Sequence, residues 1–146
     1  MRQKILILNG PNLNMLGVRE PEIYGHRTLK DIEKLCRNTG KRLGQKIDFR
    51  QSNHEGELVT WIQQALGRFD GVVINAAAYT HTSVALHDAL KLLKAPVVEV
   101  HLSNPRERES FRHHSYIAPV AATGFAGLGA DGYVKALEYL SNSRIT

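Results

Sequence analysis

Lys4-Ile-Leu-Ile-Leu-Asn9 is an unbroken apolar run that begins on a cation and ends on an amide. A strand with one wet face alternates apolar and polar residues, so a continuous run of this length reads as a strand covered on both faces. Sheets covered on both faces are built almost only from parallel strands. Residues 47–51 form a second short apolar-rich run, Asp70-Gly-Val-Val-Ile-Asn75 a third and Ala95-Pro-Val-Val-Glu-Val-His101 a fourth, with residues 121–126 as a weaker fifth.

Helical patterns fall between these runs. Thr28-Leu-Lys-Asp31 has the spacing of a capping box, with Asp in the place usually taken by Glu or Gln, and leads into Ile32, Leu35 and Leu43. Ser52-Asn-His-Glu55 is expected to cap a helix carrying Leu58, Ile62 and Leu66, stopped near Gly67. Thr82 or Ser83 opens a third with Leu86, Leu90 and Leu93 on one face, and Asp131 opens the last, with Val134, Leu137 and Leu140 aligned. Strand–helix alternation implies parallel pairing through right-handed crossovers. The expected architecture is a flavodoxin-like three-layer sandwich with a five-stranded parallel sheet of order 2-1-3-4-5, one domain over residues 1–146. In such sheets ligands sit beyond the carboxyl ends of the strands, which directs attention to the residues after strands one, three and four.

Bulk composition narrows the class. The chain has 146 residues, 42% hydrophobic and 23% charged, which is globular rather than disordered. No apolar run approaches a membrane span, and no secretory signal pattern opens the chain, so a cytoplasmic protein is expected. A single cysteine, Cys36, excludes an internal disulfide framework and reads as buried filler. The net charge of +5 favours anionic partners. Lys and Arg are scattered without an aromatic-interleaved stripe or zinc module, so a small anionic metabolite is expected and nucleic acid is not. Seven histidines invite a metal, but His113 and His114 are adjacent and no three-ligand set has zinc spacing; no metal is expected.

The strand ends carry the chemistry. After strand one comes Asn9-Gly-Pro-Asn-Leu-Asn14, which lacks the glycine spacing of a phosphate loop. Asn9 reads as a turn residue, with Asn12 left for the site. Gly17-Val-Arg-Glu-Pro-Glu-Ile-Tyr-Gly25 reads as a long loop with glycine hinges, of a length that is uncommon unless functional. Tyr24 is a poor base at its ordinary pKa of about 10, but Arg19 on the same loop would stabilise its phenolate. Strand three delivers Asn75, then His81, which is read as lying beside a helix N-terminus where anions are favoured. Asp88, two turns into that helix, reads by default as a surface charge. Glu99 and His101, two apart in strand four, share a face. A carboxylate in an apolar strand needs a partner, and orienting an imidazole would supply one. Leu102-Ser-Asn-Pro105 reads as a helix start whose amides and Ser103 hydroxyl could cradle a carboxylate, followed by Arg106, Arg108 and Arg112.

Taken together, Asn9-Gly-Pro-Asn-Leu-Asn14, Arg19-Glu-Pro-Glu-Ile-Tyr-Gly25, Arg50-Gln-Ser-Asn53, Ile74-Asn-Ala-Ala-Ala-Tyr-Thr-His-Thr-Ser83, Glu99-Val-His-Leu-Ser-Asn104 and Arg108-Glu-Ser-Phe-Arg-His-His-Ser115 resemble the type II 3-dehydroquinate dehydratases, and Gly127-Leu-Gly129 to Gly132-Tyr133 continues the match. The resemblance covers essentially the whole chain. It implies removal of water from 3-dehydroquinate to give 3-dehydroshikimate, by anti elimination through an enolate-like intermediate and without cofactor, metal or Schiff-base lysine. Carried over by position, it implies Tyr24 as base, Arg19 beside the phenolate, Arg108 as a second supporting arginine, and His101 as acid with Glu99 behind it. Asn12 matches a residue that supports the enolate through an ordered water. Asn75, His81, Leu102, Ser103 and Arg112 match substrate-binding positions. Asp88 matches a position that reaches a neighbouring subunit's site, in a family that is typically a dodecamer arranged as a tetramer of trimers. One departure is Ala77, where members of the family often have glycine.

Two other readings of the same residues stay open at this stage. A nucleotide- or flavin-binding module would need more free amides than Gly10-Pro11-Asn12 supplies, and a hydrolase would use Ser83 or Ser103 as nucleophile.

Overall fold

The computed structural model describes residues 2–18, 20–24 and 26–143, with the backbone alone at Tyr24. Five strands form one sheet: β1 (Gln3–Asn9), β2 (Gln45–Gln51), β3 (Gly71–Asn75), β4 (Val97–His101) and β5 (Thr123–Ala126). Their order is β2-β1-β3-β4-β5 and every pair is parallel, which is the flavodoxin-like arrangement expected from the alternation of elements. The helices are α1 (Pro21–Tyr24), α2 (Leu29–Leu43), α3 (Glu55–Ala65), α4 (Val84–Lys91) and α5 (Asp131–Asn142).

The continuous apolar run of β1 supplies both faces at once. Ile5 and Ile7 pack with Val73, Val98 and Val100 under α2 and α5, with Ile32, Cys36, Tyr133, Leu137 and Leu140. Leu6 and Leu8 pack with Val72 and Ile74 under α3 and α4, with Leu58, Ile62, Leu86 and Leu90. Cys36 is buried as expected, and burial pushes its thiol up to about 12, which leaves it a small apolar side chain.

Local signals account for the helix boundaries, with one correction. Thr28 and Asp31 form the reciprocal capping box, with the Asp31 N–H donating to Thr28 Oγ1 at 3.1 Å and the Thr28 N–H donating to Asp31 Oδ2 at 3.0 Å. Ser83 caps α4 through its Oγ, which accepts from the Leu86 N–H at 2.9 Å. Ser52 does not cap α3: its Oγ accepts from the His54 N–H in the preceding turn, and His54 is the residue that flanks the helix. Asp131 opens α5 as its first residue, where its charge suits the helix dipole. Residues Leu13–Met15 make a 3-10 turn, and within the stretch expected as a long loop Pro21–Tyr24 form a short α-helix. Among the described residues no helix is long and apolar enough to cross a membrane.

The register places the chemistry. Asn9 at the end of β1 stands opposite Asn75 at the end of β3 and opposite Gln51 at the end of β2. Beyond Asn9 the chain turns back against β3, with the Gly10 N–H donating to the Asn75 carbonyl at 2.8 Å. A Cβ on Gly10 would lie 2.4 Å from the Ala76 carbonyl oxygen, so only glycine lets the two strand exits touch.

Candidate active site

A cleft of about 230 Å³ opens at the carboxyl ends of β1, β3 and β4. It is lined by Asn12 after β1, by Asn75 and His81 around the exit of β3, and by His101, Leu102, Ser103, Arg108 and Arg112 at and beyond β4. Eight residues singled out in the sequence therefore meet in one place, and Glu99 stands directly behind His101. A larger groove of about 680 Å³ along the open edge of β2 carries Lys4, Arg37, Lys46, Arg50 and Arg68. Two of its arginines are already committed: Arg37 donates to the Ile47 carbonyl, and Arg50 is paired with Asp48 at 2.8 Å.

His101 is held from behind. Its Nε2 lies 2.7 Å from Glu99 Oε2. The same carboxylate oxygen accepts from the Ser115 hydroxyl at 2.7 Å. Burial alone would raise the Glu99 pKa, but the bonds from His101 and Ser115 and the nearby imidazole charge outweigh it and bring the pKa below the usual glutamate range. An ionised carboxylate can only accept, so His101 donates to it from Nε2 and turns Nδ1 away from the pair. Ser115 is itself fixed, because its Oγ accepts from the N–H groups of Ile117 and Ala118.

His81 is arranged the opposite way. It ends a 3-10 turn over Ala77–His81, two residues before the Ser83 cap, and so lies beside the N-terminus of α4 as expected from the sequence. Its Nδ1 lies 2.8 Å from the His114 carbonyl, which can only accept, so the hydrogen is on Nδ1 and Nε2 is a lone-pair acceptor. Burial lowers its pKa, and the His101 and Arg112 charges act in the same direction. The His81 and His101 rings lie near-parallel with centroids 6.4 Å apart. One imidazole thus presents an acceptor to the cleft side of its ring, while its neighbour is held from behind by a carboxylate.

The cationic rim is built after β4. Leu102-Ser103-Asn104-Pro105 opens not a helix but a single 3-10 turn, Pro105–Glu107, because the Asn104 side chain takes up the Arg106 N–H and the chain is extended again at Arg108. Arg108 reaches back toward Ser103, and both Arg108 and Arg112 lie near the Glu109 carboxylate, at 3.7 and 3.1 Å. Arg112 also stacks over Phe111. On the opposite wall Asn12 adopts left-handed backbone, φ 68°, which asparagine tolerates, and its N–H donates to Asn53 Oδ1.

Asn9 is not a turn residue. It is fully buried, its Nδ2 donates to the Arg50 carbonyl at 2.9 Å, and its Oδ1 accepts from the Tyr133 hydroxyl at 2.7 Å. Ser115 and Tyr133 are the residues that the reading of single positions missed. Ser103 lines the cleft, whereas Ser83 is buried and occupied as a helix cap, which removes it as a nucleophile. Asp88 is exposed on α4 and does not line the cleft. Arg19 and the Tyr24 side chain lie outside the described residues; the α1 backbone leads to Tyr24. Among the described residues no group of three or more His, Cys, Asp or Glu side chains is placed to hold a metal ion.

A flavodoxin-like sheet with a buried carboxylate–imidazole pair and an arginine-rimmed cleft at its switch point has the layout of an α/β enzyme. The particular family follows from comparison with known proteins. Residues 3–141 match the family model for dehydroquinase class II. The chain is 57% identical over 141 residues to a 3-dehydroquinate dehydratase 2 of Ralstonia nicotianae, covering 93% of this chain and 92% of that protein. It is 58% identical over 142 residues to a 3-dehydroquinate dehydratase of Rhizobium johnstonii, covering 97% and 98%. The crystal structure of the type II dehydroquinase of Propionibacterium acnes superposes with a TM-score of 0.94 at 45% identity, covering 98% of this chain and 99% of that one. The chain belongs to the class II dehydroquinase family.

Two stability predictions follow from the geometry of the cleft. Ala77, which lines it, has φ 53°, a left-handed conformation that costs a non-glycine residue roughly 1–2 kcal/mol. Ala77→Gly should relieve that strain and, after the entropy cost of glycine, raise stability by roughly 0.5–1 kcal/mol. An upward shift of the thermal midpoint checks it. Glu99 and His81 both have folded pKa values below their unfolded ones, so each contributes stability that is full above the unfolded pKa and is lost as pH falls through the folded one. Urea midpoints should therefore fall on acidification below about pH 6.5, first with His81 and then with Glu99. Glu99→Gln should flatten the more acidic part of that curve.

Proposed function

We propose that this chain is a 3-dehydroquinate dehydratase of the shikimate pathway, converting 3-dehydroquinate to 3-dehydroshikimate by anti elimination through an enolate. Membership of the class II dehydroquinase family supports the substrate and the reaction. The observation that carries the mechanism is the Glu99–His101 pair, which leaves His101 Nδ1 as the pole of the ring not engaged by the carboxylate, in a cleft rimmed by Arg108 and Arg112.

In this mechanism the Tyr24 phenolate, stabilised by Arg19, takes a proton from the carbon beside the ketone. The C–H electron pair moves onto the ketone oxygen as an enolate. When the enolate collapses, a carbon–carbon double bond forms toward the carbon bearing the hydroxyl, and the C–O bond breaks. The departing oxygen takes the His101 Nδ1 proton and leaves as water. Base and acid on separate elements suit an elimination from opposite faces. Arg19, Arg108 and a water held by Asn12 stabilise the charge that develops on the enolate oxygen, the term expected to contribute most to the rate.

Binding follows the same division. The Leu102–Ser103 backbone and the Ser103 hydroxyl receive the substrate carboxylate, with Arg112 supplying positive charge. His81 Nε2 accepts from a substrate hydroxyl, and Asn75 donates to a substrate oxygen. Asp88, exposed on α4, reaches the cleft of a neighbouring subunit in a dodecamer built as a tetramer of trimers. The enzyme works in the cytoplasm and needs neither cofactor nor metal.

The test is turnover of 3-dehydroquinate, followed by enone absorbance. Tyr24→Phe and His101→Ala should each lower kcat by about 10²–10⁴-fold with the fold intact, and Arg19→Ala should lower kcat more than it raises KM. Near-full turnover by either of the first two variants would overturn the mechanism.

A further inference from the structure

Beneath the cleft, four hydrogen bonds join five groups in a chain whose direction admits no alternative. The Arg50 carbonyl, which can only accept, takes Asn9 Nδ2–H at 2.9 Å. That fixes the Asn9 amide, so its Oδ1 must face Tyr133 and accept from the Tyr133 hydroxyl at 2.7 Å. The single phenolic hydrogen is then spent, and the Tyr133 oxygen can only accept, which it does from Asn75 Nδ2–H at 3.1 Å. The far end of the Asn75 amide is closed by a backbone donor, the Ala77 N–H, on Oδ1 at 3.2 Å. A backbone acceptor begins the chain and a backbone donor ends it, so each amide is held in one of its two orientations.

We propose that Tyr133 is a positioning residue which, through Asn9 and Asn75, holds the Asn75 amide so that its remaining Nδ2–H is offered to a substrate oxygen in the cleft. Tyr133 is fully buried in α5, with no route to substrate. Burial raises its pKa well above the ordinary phenol value, so the hydroxyl keeps its proton and takes no part as acid or base. Asn75, by contrast, lines the cleft. Without the phenol, the Asn75 amide keeps only the Ala77 contact and is free to rotate its donor away.

The inference rests on the dehydratase reading and is tested by a double-mutant cycle on kcat/KM for 3-dehydroquinate, using Tyr133→Phe and Asn75→Ala. Tyr133→Phe should lower kcat/KM roughly five- to tenfold, mainly through KM, in the otherwise unchanged protein. In the Asn75→Ala background it should lower it less than about twofold, because the group it orients is gone. The pH profile should not move. A merely structural tyrosine would cost the same in both backgrounds, and that result, or no loss at all, overturns the inference. If Tyr133→Phe does not fold, Asn9→Ala takes its place in the cycle, since it frees the phenolic hydrogen to turn toward Asn75. An inert unmodified chain overturns the dehydratase reading together with this one, whereas an active chain with an additive cycle overturns only the role of Tyr133.

Discussion

Glu99 stands inside a parallel strand, between valines that face the opposite side of the sheet, and its carboxylate is taken almost wholly out of water. Such a group is tolerated only where charged or strongly polar partners replace the lost hydration. Here one oxygen receives both the His101 imidazole and the Ser115 hydroxyl, each at 2.7 Å. Much of the surrounding architecture serves that requirement. The turn at Ser115 passes under β4 because its hydroxyl bonds the carboxylate while holding two backbone N–H groups of the next turn. His101 is thereby aimed by the sheet rather than by a loop, and a strand end is the most rigid place to hold a group whose direction matters.

The second buried polar cluster works on the other face of the sheet. Asn9 and Asn75 are paired by register at the ends of β1 and β3, and two amides side by side in an apolar layer would be costly if left unsatisfied. Tyr133 from α5 satisfies both, and the ends of the chain run to backbone groups. The two clusters share a logic: each ties a cleft residue to the secondary structure beneath it through a completed set of donors and acceptors. Completed sets specify one geometry, whereas half-completed ones would leave the side chains free to choose.

The parallel sheet was legible in the sequence because strands covered on both faces leave a pattern of unbroken apolar runs, and the crossover rule then limits the topology. The Glu99–His101 pair was legible for the same reason: a charge in such a run stands out, and period two puts the partner two residues on. Asn9 was misread because asparagine beside glycine and proline is the commonest turn composition, and composition alone cannot reveal a side chain pointing down into the layer below. Tyr133 was passed over because, in a helix with Leu137 and Leu140 on the same stripe, an aromatic ring reads as core. It is core, and its hydroxyl matters only because the register of two distant strands brings amides to it. Ser115 gave no signal of its own, since a serine in a loop has many uses. Ala77 was noted as a departure from glycine, and its left-handed backbone supplies the physical reason that glycine suits the position.

The cleft is asymmetric in how its two halves are held, and the asymmetry follows from the chemistry proposed for it. In the proposed mechanism the acid has to be aimed at the leaving group before the bond breaks, and a strand end with a buried carboxylate behind it holds His101 in that way. An enolate-forming base must instead approach a weakly acidic C–H from the opposite face, after the substrate has entered. In the mechanism proposed above that base is Tyr24, carried by the chain that leaves β1, crosses the left-handed Asn12 and its 3-10 turn, and enters α1 before α2 begins. Gly10 makes that departure possible by letting the backbone press against Ala76, so the exits of β1 and β3 close the floor of the cleft before the chain leads away toward α1.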